Sequence, residues 1–567
     1  MENDHQNTRT PEHPQRVWVG FTLYAFCFFI YSHQWFFRDF VIFRKEISHR
    51  FAPWILAGLF SIMLTTLVHS FFYSKQIRQK LNSFLQFLLI PKTEQWTLWI
   101  GLSATLLRMG WFAWFRATSH PQFFLDMLPV VSHYNMVMAE QLAQGQGYSW
   151  SGMAVCIRPP GYAFLASVGF SLFGMGNFLP ILCVNLVVSV GIVLCAYWIG
   201  RALFGETAGR LTSLISLLSW PEIYQTCYLL EETLFTFLLL IVTYLVVSQK
   251  KGLYPALMVS AFPLIWGTLL FGYFSLATAL GVFFLVLLAF LGWKFSDYQQ
   301  AMGIGIFLGL ASYFRPTLIL FPFVLPIAYR FQGASLKLAL KRSAVVFMVL
   351  LATLSPWILR NSLANRTLTF LSTNGGGTLF EDNIELCKKD PEFSRFEKMD
   401  ADLVELYHMI AQRRVGVPLK VGQGEADREL GRYTLRCIYR YPVDFTKIIA
   451  KRTLQFFLNA NQVQVNMLFL KGIQKPWIWN SYWITQLLNI SLYTVILFLF
   501  MVGVWKVFHH FPQQRAGLVP FFYMFSFLIL FTPQVRYRIP ILTFVYVYTT
   551  FGFMQLTTTQ TPGTRLL

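Results

Sequence analysis

Long apolar runs separated by short polar breaks set the pattern of this chain. A hydrocarbon core needs about 20 apolar residues per helix. On that rule the pattern predicts spans near 17–37, 52–73, 95–117, 178–199, 207–221, 231–248, 253–271, 273–293, 301–315, 317–330, 342–359, 482–505, 515–532 and 539–556. The expected fold class is therefore an all-α polytopic membrane protein with roughly 12–14 spans. Several runs fall short of a full crossing and are expected to be tilted, paired or broken.

Two longer interruptions stand out, at 118–177 and 361–480. In the first, 132–145 reads as three turns of amphipathic helix, too short to span, with Ser132 as N-cap and Gly145 just past the C-terminus. The stretch QGQGYSWSGMAVCIRPPGY (144–162) follows. Arg158 precedes a proline and is biased to extended backbone, so a helix stop, an extended arm and a rigid turn lead into a second short helix, 161–174. The segment 361–480 is a soluble portion with helical patterns. Within it, DFTKIIAKRTLQFFL (444–458) spaces apolar residues helically with Lys447, Lys451 and Arg452 between them, as in a helix lying along a membrane surface. LSTNGGGTLFEDN (371–383) is expected to be a loop, either plainly flexible or letting backbone approach a ligand closely through its three glycines.

Composition agrees with a membrane protein: 55% of residues are hydrophobic and only 13% charged, against about 25% charged in soluble domains. The net charge of +20 does not indicate nucleic acid, because basic residues gather in cytoplasmic loops and face anionic lipid. Lys75, Arg78, Lys80 and Lys92, then Arg201 and Arg210, Lys250 and Lys251, Lys294, the group Arg330 to Arg342, and Lys506 with Arg515 all fall on one side if the N-terminus is cytoplasmic. The loop 38–50 departs from this alternation. The polar first sixteen residues and the lack of a small-residue cleavage site predict a retained first span. The seven cysteines form no CxxC pair or metal spacing. Cys387 and Cys437 share the outer segment, where a disulfide and two free thiols both fit.

With that orientation, charged groups collect at the outer ends of spans: Arg158, Glu222, Glu231, Glu232, Arg315, Arg360, Arg536 and Arg538. Interfacial snorkelling accounts for any one of them. The positive-inside tendency predicts few outer arginines, so the set asks for a further reason. An arginine fork grips phosphate oxygens bidentately, which suits a lipid-phosphate headgroup held at the interface, with acids positioning or deprotonating an acceptor. One outer cavity lined by Arg158, Glu222, Glu232 and Arg315 is expected.

The runs AEQLAQGQGYSW…RPPGYAFLASVGFSLFG, WPEIYQTCYLLEETLFTFLLL, GIFLGLASYFRPTLILFPFVL, PWILRNSLANRTLTFLSTNGGGTLF, RCIYRYPVDFTKIIAKRTLQFF and RYRIP occur in that order. Together they resemble bacterial family 39 glycosyltransferases, a group similar to protein O-mannosyltransferases and the lipid A aminoarabinose transferase. The resemblance covers about 95–556. It implies a GT-C-type membrane domain and an inverting glycosyltransferase with a polyprenyl-phosphate-sugar donor. It further implies an envelope glycan, lipid or protein acceptor and a site on the periplasmic face of the inner membrane. The implied donor-phosphate or substrate-binding residues are Tyr134, Arg158, Glu222, Glu232, Arg315, Asn374 and Arg538. No metal site or cofactor is implied, and a divalent cation is left open. One departure concerns the catalytic acid: the family's usual Asp aligns with Val131, which leaves Asp126 or His133 as the candidate base. The organisation implied is a polar N-terminus with two added spans (1–94), a membrane core (95–360), a periplasmic portion (361–480) and C-terminal spans (481–567). Two other functions stay open, a non-catalytic polyprenyl-lipid-binding envelope protein and a transporter or flippase. Against the latter, no paired halves are found.

Overall fold

The computed structural model describes residues 61–69, 74–118, 130–150, 153–248, 298–365, 368–401, 423–458, 476–530 and 535–557. The expected spans 17–37, 253–271 and 273–293, and Asp126, lie outside them. The elements in chain order are α1 (Lys75–Leu89), α2 (Thr93–Thr118), α3 (Val130–Ala143), β1 (Ser149–Trp150), β2 (Met153–Ala154), α4 (Gly161–Phe173), α5 (Leu179–Phe204), α6 (Glu206–Leu217), α7 (Trp220–Gln225) and α8 (Glu232–Ser248). They continue with α9 (Gln299–Ser312), α10 (Leu325–Phe331), α11 (Leu336–Asn365), α12 (Gly375–Asp382), α13 (Ile384–Cys387), α14 (Gln423–Arg440), α15 (Pro442–Leu458), α16 (Pro476–His510), α17 (Leu518–Leu530) and α18 (Val535–Thr557). The fold is a helical membrane architecture. Among the described residues, Leu179–Phe204, Leu336–Asn365, Ser491–His510 and Tyr537–Thr557 are long and apolar enough to cross a bilayer, and Gly161–Phe173 and Glu232–Ser248 are shorter apolar helices.

Several expectations change. The run 317–330 is not one helix: Pro316 precedes it, and Pro322 and Pro326 divide it into two 3-10 turns, Pro316–Leu318 and Phe321–Phe323, followed by α10, because each proline removes a helix donor. Helix α3 begins at Val130, two residues before the expected cap Ser132. Its end is as expected: Gly145 has φ 74°, its N–H bonds the Leu142 carbonyl at 3.0 Å, and the Gln146 N–H bonds that of Gln141 at 2.9 Å, a Schellman ending. The glycine run is not a loop but opens α12.

Two compact units are present, one within Met1–Pro91, Thr453–Lys506 and Tyr548–Leu566, the other within Lys92–Arg452 and Val507–Val547. In the first, Leu64, Phe498 and Leu499 form a core with Val495, Val502, Phe553 and Leu556 around it. A Cβ on Gly503 would meet the Tyr548 carbonyl at 2.0 Å, and one on Gly552 the Leu499 carbonyl at 2.0 Å. Glycine there permits the backbone-to-backbone approach common between membrane helices. Helix α1, capped by Ser74, leaves Phe84, Phe87 and Leu89 exposed.

In the second unit, Gly305 and Gly309 of α9 lie directly against Val349 and Thr353 of α11, another small-residue seam. Helices α5 and α6 fold back on each other through Gly205, at φ 88°, and are tied by Glu206, which accepts from Tyr197 at 2.7 Å and from Arg210 at 2.6 Å. Arg452 of α15 is buried. It donates to the carbonyls of Ile529, Leu530 and Asp382, so it neutralises the C-terminal ends of α17 and α12 rather than facing a lipid surface.

Candidate functional site

The polar stretch between α3 and α4 is held by specific bonds. Its short ladder pairs Ser149 with Ala154 and Trp150 with Met153. Arg360, near the end of α11, donates to the carbonyls of Val155, at 2.6 Å, and Tyr148. It also reaches Cys156 Sγ at 3.2 Å and Asn361 Oδ1 at 3.0 Å, and its guanidinium lies over the rings of Tyr148 and Trp357. Its donors are thus directed at the arm rather than at a ligand. The Thr373 N–H bonds the Cys156 carbonyl at 2.7 Å, which sets Asn374 beside Arg158. At the Pro-Pro-Gly turn, the Gly161 N–H bonds the Tyr313 carbonyl at 2.8 Å. A Cβ at 161 would stand 2.7 Å from that oxygen, so only glycine lets the turn carrying Arg158 close against the turn carrying Arg315.

Between these segments lies a cavity of about 250 Å³. Its polar wall is Arg158, Glu231, Arg315, Ser372, Asn374, Thr378 and Tyr537; its apolar wall includes Ile157, Phe314, Pro316, Met524, Phe527 and Leu528. Of the expected site residues, the structure brings Arg158, Arg315 and Asn374 together here. Glu232 stands behind the wall, fully buried and ion-paired with Arg315. Glu231, at the cavity, lies 3.8 Å from the same guanidinium and accepts from Asn135 of α3 at 3.5 Å. Arg315 also stacks over Tyr537, 4.5 Å from the ring centre. Two carboxylates thus neutralise Arg315. Arg158 differs in that no carboxylate pairs with it among the described residues; its buried Nε, like that of Arg315, has no hydrogen-bond partner there. Glu381 lies near enough to feel its charge but forms no ion pair with it among the described residues.

Tyr134 is buried on α3. Burial pushes its hydroxyl up to about 12, Arg158 opposes that shift, and Glu381 adds to it. The three groups therefore share one neighbourhood. Glu381 of α12 is raised by burial and lowered by Arg158, and Asp400 is pushed up to about 7, first by burial and then by the Glu381 charge. Asp427 of α14 accepts from the Gly376 and Gly377 N–H groups at 2.7 and 2.9 Å, a carboxylate cap on the α12 N-terminus supplied by another helix. A Cβ on Gly376 would fall 1.7 Å from the Asp427 carbonyl oxygen. Gly376 and Gly377 thus admit a neighbouring helix, while Gly375 lines the cavity.

Glu222 is not at the cavity. It is buried on α7, accepts from Ser216 at 2.6 Å and Thr543 at 3.5 Å, and lies 4.0 Å from Arg108 with both side chains fully buried. The run WPEIY carries Pro221 at the start of a separate short helix, which turns Glu222 into the helix packing. Arg538 is buried in α18, and its neighbour Tyr537 lines the cavity instead. The side chain of His133 lies outside the described residues. Glu231, Tyr537, Glu381, Asp400 and Asp427 were not among the expected site residues. Doubled acids at a span start offered a signal for Glu231; nothing local marks the others. No group of three or more His, Cys, Asp or Glu among the described residues is arranged to hold a metal.

Residues 157–250 match the family model described as dolichyl-phosphate-mannose-protein mannosyltransferase, and that segment contains Arg158, Glu222, Glu231 and Glu232. The resemblance read in the sequence is thus met by an independent match over this part of the chain. No curated protein matches. Two solved structures are distantly similar. One is the crystal structure of ArnT from Cupriavidus metallidurans bound to undecaprenyl phosphate, with 14% identity, 79% of this chain and 78% of that chain covered, and a TM-score of 0.31. The other is ArnT from the same organism in the apo state, with 14% identity, 78% of each chain covered and a TM-score of 0.30.

Proposed function

We propose that the protein is a membrane glycosyltransferase that takes a sugar from a polyprenyl-phosphate-linked donor at the Arg158 cavity. The donor would be used on the extracytoplasmic face of the inner membrane, with an envelope glycan, lipid or protein as acceptor. The observation that carries this reading is Arg158 itself, a guanidinium with no paired carboxylate among the described residues, on the polar wall of a cavity whose other wall is apolar. It stands in the segment that matches a family described by a dolichyl-phosphate-linked donor. That two-sided lining suits an amphipathic lipid phosphate.

The chemistry follows from charge. As the acceptor oxygen attacks the anomeric carbon, the carbon–oxygen bond to phosphate breaks and its electron pair leaves with the phosphate. The phosphate passes from a singly charged diester to a monoester with more negative charge. Arg158 stabilises that developing charge more than the starting charge, which is the condition for acceleration. Arg315, already neutralised by Glu231 and Glu232, shapes the wall and orients those acids. The acceptor proton goes to a carboxylate or histidine: Asp126 and His133 are the sequence candidates, and Glu381 is a described carboxylate within electrostatic reach of both Arg158 and Tyr134.

The test uses purified protein with polyprenyl-phosphate sugars and a membrane-envelope extract as acceptor, following the release of free polyprenyl phosphate. Arg158→Ala should lower transfer roughly ten- to a hundredfold, the loss of one charge-assisted hydrogen bond worth about 1.5–3 kcal/mol. Normal turnover in a folded Arg158→Ala protein removes the arginine from the donor site. Donor binding by the wild type with no transfer to any acceptor instead supports a non-catalytic lipid-binding protein.

A further inference from the structure

In the outer segment, Phe380, Leu386, Cys387, Phe396, Ala426, Leu430, Tyr433 and Cys437 make one buried core. Cys387 ends α13, and Cys437 lies in the last turns of α14. Both are fully buried free thiols in that one core, close enough that each shifts the other's titration. Tyr433, one turn before Cys437, donates to the Cys387 carbonyl at 3.5 Å and stacks on Phe396 at 3.8 Å between ring centres. The same packing that fixes the aromatic pair therefore fixes the two sulfurs against each other. Burial raises both thiols, so neither suits the role of a nucleophile or metal ligand, which needs a thiolate. No metal-holding cluster includes them among the described residues.

We propose that Cys387 and Cys437 become a structural disulfide that fastens α13 to α14 when this segment matures in an oxidising compartment. The pairing rests on the extracytoplasmic placement of 361–480, since disulfides persist in oxidising compartments and not in a reducing cytosol. The oxidant is a protein disulfide of the thiol–disulfide oxidoreductase class. One cysteine thiolate attacks that disulfide and forms a mixed disulfide. The second cysteine displaces the oxidant as a dithiol, so two protons and two electrons leave the chain and one S–S bond forms. Because the folded thiols are buried and un-ionised, the bond closes as the segment folds and afterwards resists reductants. Linking Cys387 to Cys437 across the intervening chain removes freedom from the unfolded segment.

The test is chemical and independent of transferase activity. Full-length protein from native membranes is denatured in N-ethylmaleimide without reductant and digested, and the peptides are weighed before and after reduction. The expected result is one linked pair of Cys387 and Cys437 peptides, two hydrogens lighter than their sum, that separates on reduction. Unlinked, maleimide-labelled peptides overturn the pairing. Orientation is read separately by Tyr439→Cys, at an exposed position (89%), in a Cys387→Ser/Cys437→Ser background, with a membrane-impermeant maleimide. Labelling from the outer side together with reduced thiols refutes the disulfide alone. Labelling only after the membrane is broken refutes the placement and the disulfide with it.

Discussion

Replacing Glu222 alone should damage the protein more than replacing Glu222 and Arg108 together. Arg108 is fully buried in α2, and its Nε donates to Ser189 Oγ at 2.6 Å. Its Nη2 lies 4.0 Å from Glu222 Oε2, and neither Nη1 nor Nη2 makes a hydrogen bond. The pair is thus held by charge rather than by a hydrogen bond. At 4.0 Å and an effective dielectric of about 20, that attraction is about 4 kcal/mol. Glu222→Leu abolishes it and strands the arginine charge, at a cost of about 3–5 kcal/mol, as does Arg108→Met from the other side. This is a large part of a total stability of about 5–15 kcal/mol. The double variant removes both desolvation penalties and should fall within about 2 kcal/mol of the wild type. A double-mutant cycle on detergent-solubilised protein, read by thermal unfolding, then gives a coupling of several kcal/mol. Single effects that simply add, within about 0.5 kcal/mol, or a Glu222→Leu protein as stable as the wild type, would refute the lock. Transfer separates structure from catalysis: the double variant should keep it within a few-fold. A stable double variant with no turnover would return Glu222 to the reacting centre.

Gly376→Ala should unfold the contact between α12 and α14, since its Cβ would fall 1.7 Å from the Asp427 carbonyl oxygen; rapid proteolysis of the outer segment is the expected signature. Gly375→Ala, where a Cβ meets nothing within 4 Å, should leave the cleavage rate unchanged. Stability of the same segment should depend on pH through Asp400, raised from 3.8 to about 7. A raised acid favours folding while protonated in both states, and that advantage is lost as pH rises from about 4 to 7, with Glu381 and Asp427 shifted in the same direction. Asp400→Asn should flatten the decline in melting temperature across that window, and an unaltered slope would exclude Asp400 as its source.

Much of the helical frame was legible because membrane spans are local in sequence. Apolar length and a capping glycine placed α3, α8 and α18 within a few residues, since backbone bonds in lipid must be satisfied within the segment, while α5 and α11 run on past the expected ends. The failures share a cause in proline and glycine chemistry. Hydropathy reads 317–330 as one span, yet Pro322 and Pro326 divide it and Pro316 precedes it. Likewise Gly375–Gly377 reads as a loop by propensity, yet forms a helical turn because an acid from another helix caps it. No window around 371–383 contains Asp427, so no local reading finds that cap.

The site illustrates the same limit through its arginines. By sequence, Arg158, Arg315 and Arg360 are equivalent outer-face cations near prolines, each a candidate phosphate ligand. Their functions separate only by what occupies their donors. Arg360 spends its Nη groups on carbonyls and a thiol of the Tyr148–Cys156 arm, and Arg315 is neutralised by two acids. A guanidinium already ion-paired gains less from a further anion, because its charge is offset before the anion arrives. Arg158 and Arg315 each retain an unpartnered buried Nε, but among the described residues no carboxylate pairs with Arg158, so an arriving phosphate meets a guanidinium that no ion pair already holds. Its freedom depends on the other two: Arg360 fixes the arm that carries it, and the Arg315 turn receives Gly161 three residues later. The anion site is therefore a property of three arginines, of which one has no paired carboxylate among the described residues.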